Sequence, residues 1–360
     1  MTDPKHLCPK QWFLKEHKPW DHGLSNANLC SMFFSRMIAG KTAIGFWGLL
    51  MDGLLSALKE RSLLSLLDVS AEEFQGLLDL ASKLKAGTVK PRCNKVLGLL
   101  FQKASTRTRV SFTVAMYQLG GQVIDLNPNV TQVSRGEPLQ DTARVLGRYM
   151  DVMAIRTFDQ GDLEQFRDLS GIPVINALSD LYHPCQAIAD VLTVRENFGD
   201  RSDLTLTYFG DGNNVAHSLM LGCALAGINV RVVVPEGYEP DATVLEKAKA
   251  IAGTATEVTV THDPLAAVSG AHALYTDVWA SMGQEDLADE RDPIFQPYQL
   301  NDRLLTKADS EAIVLHCLPA YRGKEITDET MEGGRSRIWD QAENRLHGQK
   351  ALLVSILGAD

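Results

Sequence analysis

The chain has 360 residues, 45% of them apolar, with 35 basic and 45 acidic side chains and a formal charge of -10. That length is enough for two domains of ordinary size, each able to bury a core. The acidic balance excludes a general nucleic-acid binder or a membrane-surface binder, which needs a basic face, and it requires any anion site to gather positive charge locally.

Six cysteines (Cys8, Cys30, Cys93, Cys185, Cys223 and Cys317) show no CxxC pair and no metal-ligand spacing. Reduced thiols in a cytoplasmic compartment are expected, with no metal. The longest apolar stretch, FFSRMIAGKTAIGFWGLL at 33–50, is interrupted by Arg36 and Lys41, so no membrane span is expected. Residues 1–55 have weak periodicity and carry Trp12, Trp20 and Cys8 without a secretory pattern. They read as a disordered or loosely attached extension, with Met51, opening MDGLLSALKERSLLSL, as the expected natural start.

From about residue 64 the pattern is regular. Ser70 and Glu73 form a capping box before an amphipathic helix carrying Phe74, Leu77, Leu78, Ala81 and Leu84, which Gly87 stops. Strand VLGLLF (96–101) leads to a helix from Thr106 to Leu119, ended by Gly120 and Gly121, and then to strand QVIDL (122–126). A helix near 138–149, strand VMAIR (152–156), a helix near 160–169 and strand PVINA (173–177) follow. A helix over 184–198 precedes strands LTLTYF (204–209), NVRVVV (229–234), TEVTVT (256–261), HALYTD (272–277) and AIVLHCL (312–318), and a last helix spans about 337–356. Apolar strands alternating with helices predict an α/β protein of two domains, each a mostly parallel sheet with both faces covered by helices.

In such folds ligands bind at the carboxyl ends of strands, and four segments lie there. Ser105, Thr106, Arg107, Thr108 and Arg109 crowd the start of a helix, where free N–H groups and the positive dipole end favour a phosphate and Arg107 can fork two of its oxygens. The plain alternative is a Ser/Thr cap with two solvated arginines, and Arg109 has a further one, support of the loop. Arg156 ends an apolar strand and needs an anionic or carbonyl partner, which an interdomain ion pair would also supply. His183, Pro184, Cys185 and Gln186 open the next helix. There a His can aim one ring nitrogen outward beside an amide, or be a satisfied cap residue, and Cys185 lacks an evident base. In the second half, GDGNN (210–214) only partly matches a dinucleotide turn, with no third glycine and no acidic ribose ligand after the next strand. Asp277, at a strand end, suits a substrate ammonium. Ser281, Met282 and Gly283 follow it, and HCLPAYRG (316–323) ends another strand.

Together these segments resemble one family. FQKASTRTR (101–109) matches the carbamoyl-phosphate pattern F-x-[EK]-x-S-[GT]-R-T of aspartate and ornithine carbamoyltransferases at every specified position. HPCQ, GDGNN, D-x-x-x-SMG and HCLP, in that order, are similar to the ornithine branch. Ala104 stands where that family often has Pro, and Thr113 where Glu is common. The resemblance runs from about residue 60 to the end. It implies a carbamoyl-phosphate domain over 60–190, an ornithine domain over 191–335 and a C-terminal helix over 336–360 returning to the first domain.

The resemblance also implies roles. Ser105, Thr106, Arg107 and Thr108 would hold the phosphate, while Arg156, His183 and Gln186 would surround the carbamoyl group. Asn214, Asp277, Ser281 and Met282 would hold ornithine, and Cys317, Leu318 and Arg345 would complete the site. Thr108, Arg156, His183 and Cys317 would be catalytic. The implied reaction joins the neutral δ-amine of L-ornithine to the carbamoyl carbon, releasing phosphate and giving citrulline, with no cofactor and no metal required. A homotrimer is the implied assembly. A carbamoyltransferase for another amine, such as putrescine, and a non-catalytic homologue are the alternatives.

Overall fold

The computed structural model describes residues 58–127, 136–280 and 285–359. The expected extension over 1–55 and the candidates Ser281 and Met282 lie outside the described residues.

Local signals set the first elements. Ser70 caps α1 (Ala71–Lys85): its hydroxyl accepts from the Glu73 N–H, and the Glu73 carboxylate accepts from the Ser70 N–H. Phe74, Leu77, Leu78, Ala81 and Leu84 are buried along one stripe. Strand β1 (Val96–Phe101) runs into α2 (Thr106–Leu119), which Gly120 ends in the left-handed conformation at φ 87°, a geometry glycine takes without a Cβ penalty. Next come β2 (Gln122–Leu126), α3 (Leu139–Leu146), β3 (Val152–Arg156), α4 (Gln160–Ser170), β4 (Val174–Leu178) and α5 (Pro184–Phe198). The second series is β5 (Thr205–Phe209), α6 (Asn214–Ala226), β6 (Asn229–Val233), α7 (Ala242–Ala252), β7 (Val258–Thr261) and β8 (Ala273–Thr276). After α8 (Ala288–Phe295) and β9 (Ile313–His316), the long helix α9 (Ile338–Leu357) closes the described chain.

Among the described residues all strand pairs are parallel, in two sheets ordered β2-β1-β3-β4 and β7-β6-β5-β8-β9. The chain leaves β1 towards one side and returns to β3 on the other, so the carboxyl ends of β1 and β3 flank a crevice at a topological switch point. The same reversal separates β5 from β8 in the second sheet. Phe101 pairs with Arg156 at the first crevice and Phe209 with Thr276 at the second. This topology gathers the four segments singled out from sequence at two crevices.

The expectation that both faces of every strand are covered fails at β2. It is an edge strand paired with β1, and its residues are exposed or half-buried, Ile124 being 44% exposed. Strand β9 stops at His316, before Cys317 and Leu318. Leu318 sits at φ 59°, a left-handed conformation that cannot continue a strand. Helices α5 and α6 pack together, and Pro184–Val194 and Val215–Leu225 are buried all round. Helix α9 packs against α1, α2 and α5, and at Gly348 an added Cβ would lie 2.8 Å from the Ile188 side chain of α5. One apolar cluster runs from β1 through these helices to β5.

Candidate functional site

The first crevice is lined by the start of α2, the end of β3 and the start of α5. Ser105 is the N-cap residue of α2, yet its hydroxyl makes no capping bond, so the plain cap alternative is not what the chain adopts. Thr106 and Arg107 are exposed, and Thr108 is buried. Arg345 reaches in from α9: Nη2 donates to Thr108 Oγ1 at 3.0 Å and Nη1 to Gln186 Oε1 at 2.6 Å. The Thr108 hydroxyl, having accepted, keeps its own proton for an incoming oxygen. Gln186 Nε2 donates one proton to Asp190 Oδ1 at 2.7 Å and keeps the second.

His183 is the N-cap residue of α5, followed by Pro184 at the first helical position. Its backbone N–H donates to Ser218 Oγ at 2.7 Å, its side chain makes no capping bond, and Nδ1 has no partner. Burial first, then the positive charges of Arg345, Arg156 and Arg107, hold its pKa well below the usual imidazole range, so the ring is neutral at physiological pH. Burial, then Arg345 and Arg107, lower Arg156 to about 10. Three guanidinium groups therefore bear on one buried neutral imidazole at the mouths of two helices. Arg109 points elsewhere, pairing with Asp125 of β2 and lying over the Phe101 ring at 5.0 Å, as its loop-support reading expected.

The second crevice is wired differently. Asp277, just past β8, accepts from Asn213 Nδ2 at 3.0 Å, from the Val278 N–H at 2.8 Å and from Cys317 Sγ at 2.9 Å. Burial and the Asp277 charge push the Cys317 thiol well above its ordinary value, so it stays a neutral hydrogen-bond donor. Cys185 is likewise pushed up to about 12 by burial, which removes it as a nucleophile. Asn214 sits on the other side of the turn, its Nδ2 donating to Ser179 O. The rest of GDGNN serves the chain itself: Asp211 pairs with Arg291 at 2.7 Å, and a Cβ on Gly212 would meet Pro240 N at 2.3 Å. That turn is packed against residues 238–240 and has no dinucleotide cradle.

Asp277, His316 and Cys317 place one donor atom each within 4.8 Å of one another, the spacing of a metal site. His316 is already committed, however. Its Nδ1 accepts the Leu318 N–H at 2.8 Å, so the ring proton sits on Nε2, which faces Glu325 Oε1 at 3.1 Å. No imidazole lone pair is left for an ion.

Comparison with known proteins places the chain in a family. Residues 61–196 match the model of the aspartate/ornithine carbamoyltransferase carbamoyl-P binding domain, and residues 202–356 that of the Asp/Orn binding domain. The chain belongs to the aspartate/ornithine carbamoyltransferase family. It is 68% identical over 306 residues to the ornithine carbamoyltransferase of Nostoc punctiforme, covering 85% of this chain and 100% of that one. Identity to the Synechocystis ornithine carbamoyltransferase is 64% over 304 residues, or 84% of this chain and 99% of that one. Among solved structures, the Gloeobacter violaceus ornithine carbamoyltransferase aligns with a TM-score of 0.76 at 57% identity, covering 83% of this chain and 99% of that one. The Pyrococcus furiosus enzyme aligns at 0.80 and 48% identity, covering 84% and 98%. The ornithine branch and the two-domain α/β fold expected from sequence both hold for this family member.

Three residues that hold the candidate site residues in place escaped sequence reading. Asn213 caps α6, its Oδ1 accepting from the Val215 and Ala216 N–H groups, while its amide nitrogen orients Asp277. An Asn directly before an apolar helix was the available signal. Asp190 and Gln341 lie one turn from Gln186 and Arg345, but polar residues at helical spacing look the same in sequence whether buried or solvated.

Proposed function

We infer that the chain moves the carbamoyl group from carbamoyl phosphate to the δ-amine of L-ornithine, giving citrulline and phosphate. What most supports this is the cluster of Arg107, Arg156 and Arg345 around the neutral, buried His183 at the first crevice. Such a concentration of positive charge in an acidic protein is suited to a dianionic substrate. The phosphate meets the N–H groups and hydroxyls of Ser105, Thr106 and Thr108 and the fork of Arg107. Gln186 and Arg345 frame the carbamoyl group. In the second crevice Asp277 takes the α-ammonium of ornithine, with Asn214, Ser281 and Met282 at its amino-acid end and Leu318 beside Cys317.

The chemistry follows from charge. As the amine attacks the carbonyl carbon, negative charge grows on the carbonyl oxygen, and Thr108, Arg156 and neutral His183 stabilise it. The C–O bond to phosphate then breaks, and the phosphate leaves into the cationic crevice with the proton that the attacking nitrogen sheds. The Cys317 thiol acts as a donor that holds Asp277. The attacking amine must be neutral, and an alkyl ammonium has an ordinary pKa of about 10.4, so turnover rises towards alkaline pH.

Residues 60–190 form the carbamoyl-phosphate half, 191–335 the ornithine half, and 336–360 return to the first, a division supported by the packing of α9 on α1 and α2. The assembly is a homotrimer in the cytoplasm. Val110 and Tyr117, seven positions apart on α2, and Ile124 on the edge strand β2 are 53%, 80% and 44% exposed, apolar side chains suited to contacts with a second copy. Among the described residues no helix is long and apolar enough to cross a membrane.

The test is citrulline formation with carbamoyl phosphate and, side by side, ornithine, putrescine, N-acetylornithine and aspartate. Ornithine should be preferred, and its rate should climb between about pH 6 and 9. Preference for putrescine, which lacks the α-ammonium that Asp277 recognises, would move the activity to another amine. Absence of turnover with all four would leave a non-catalytic homologue.

A further inference from the structure

Between the two crevices lies a buried chain of amides. Asp190, on α5, is 0% exposed, and its Oδ1 accepts from Gln186 Nε2 at 2.7 Å and from Gln341 Nε2 at 2.6 Å. Gln186 and Gln341 are 2% and 0% exposed. Each amide's oxygen then points the other way: Gln186 Oε1 accepts from Arg345 Nη1 at 2.6 Å, and Gln341 Oε1 accepts the His316 N–H at 2.8 Å.

A glutamine amide has two nearly isosteric orientations, and its neighbours decide between them. Turning Gln186 over would set its NH2 against the Arg345 guanidinium and its oxygen against the carboxylate. Turning Gln341 would set its NH2 against the His316 N–H. In a dry interior either change leaves buried groups unpaired. We propose that Asp190 is a positioning residue whose single oxygen, by accepting from both amide nitrogens, fixes the orientation of Gln186 and Gln341 and so holds the two substrate crevices in register. One branch runs through Gln186 and Arg345 to Thr108 in the first crevice. The other runs through Gln341 to the backbone of His316, the residue before Cys317 in the second.

Orientation does not need the charge. Burial pushes the Asp190 carboxyl up to about 7 against the pull of the Gln341 and Gln186 bonds, the nearby Tyr275 hydroxyl and the Arg345 charge. The other ionisable groups bearing on it are Cys317 and Cys223. A protonated carboxyl still offers its carbonyl oxygen to both amides, and so does an asparagine. This separates positioning from any acid–base role.

The proposal rests on carbamoyl transfer to ornithine, so wild-type binding of carbamoyl phosphate is measured first by calorimetry. Failure there would count against the proposed activity, and the crystallographic arm below would still decide the positioning role. Asp190→Leu should raise KM for carbamoyl phosphate and lower kcat, each by about 10–100-fold, the scale of a lost hydrogen bond to a charged group. Its crystal structure should show Arg345 released from Gln186. Asp190→Asn should recover most of the loss and keep the wild-type pH profile. Gln341→Met, which cuts only the second branch, should lower kcat while KM for carbamoyl phosphate stays put. Four results would each overturn the proposal: Asp190→Asn as impaired as Asp190→Leu, a limb missing from its pH profile, Arg345 still on Gln186 in the Leu variant, or a fully active Gln341→Met. If Asp190→Leu does not fold, the Asn and Gln341 variants decide.

Discussion

The two crevices sit at equivalent places, each at the switch point of a parallel sheet, but they are prepared in opposite ways. At the first, Ser105 leaves its hydroxyl uncapped, His183 leaves Nδ1 without a partner, and Arg156 and Arg345 lower the proton affinity of the same imidazole. At the second, the Asp277 carboxylate is already held by Asn213, Val278 and Cys317. The first is suited to an anion that would neutralise it, whereas the second presents a preset acceptor suited to an ammonium. Strong charge and preset geometry are alternative routes to recognition, and here one chain uses both.

Arg156→Met should show the largest effect. It removes a donor aimed at developing charge, a loss of about 10²–10³ in kcat, while KM for ornithine holds. Steady-state kinetics with each substrate varied in turn measures this. An equal fall in ornithine affinity would mean that the two crevices do not divide the labour. Asp277→Asn should come next and act in the opposite column. It keeps the shape but loses the charge that faces the ammonium, raising KM for ornithine at a cost of about 2–5 kcal/mol, with carbamoyl-phosphate binding intact by calorimetry. A variant that instead loses carbamoyl phosphate would merge the two sites into one.

What was legible in the sequence follows the same divide. The start and end of α2 were plain because an apolar strand, a polar turn and a Gly-Gly pair are local signals, and the same holds for the Ser70 capping box. Strand alternation gave the class, and the junctions after strands picked out Thr108, Arg156, His183 and Asp277. Helix α9 was harder. Gln341, Asn344, Arg345 and Gln349 are each at most 4% exposed, yet they are polar residues at helical spacing, the pattern of a solvated face. Only α5 and α2, packed opposite, show that this face is buried. Strand β2 went the other way: QVIDL reads as a covered strand, but at the sheet edge it stays largely open.

The smallest effect sharpens the comparison within a single run of five residues. Arg107 and Arg109 are two positions apart on α2, so they leave the helix in different directions. Arg107 is exposed at the crevice, where its charge reaches both Arg156 and His183. Arg109 instead ties α2 to β2 through Asp125 and covers Phe101. With the Arg109 and Asp125 side chains 29% and 45% exposed, solvent screens the pair, leaving about 0.2–1 kcal/mol. The contact with the Phe101 ring adds about 0.5–1 kcal/mol. Arg109→Met should therefore lower stability by about 1 kcal/mol in urea unfolding, with an unchanged slope and unchanged kinetics for both substrates. Arg107→Met should do the reverse, leaving stability alone and weakening carbamoyl-phosphate binding. If the two variants proved equally poor in binding, proximity to the helix start would matter more than direction, and the contrast between a structural and a binding arginine would fall.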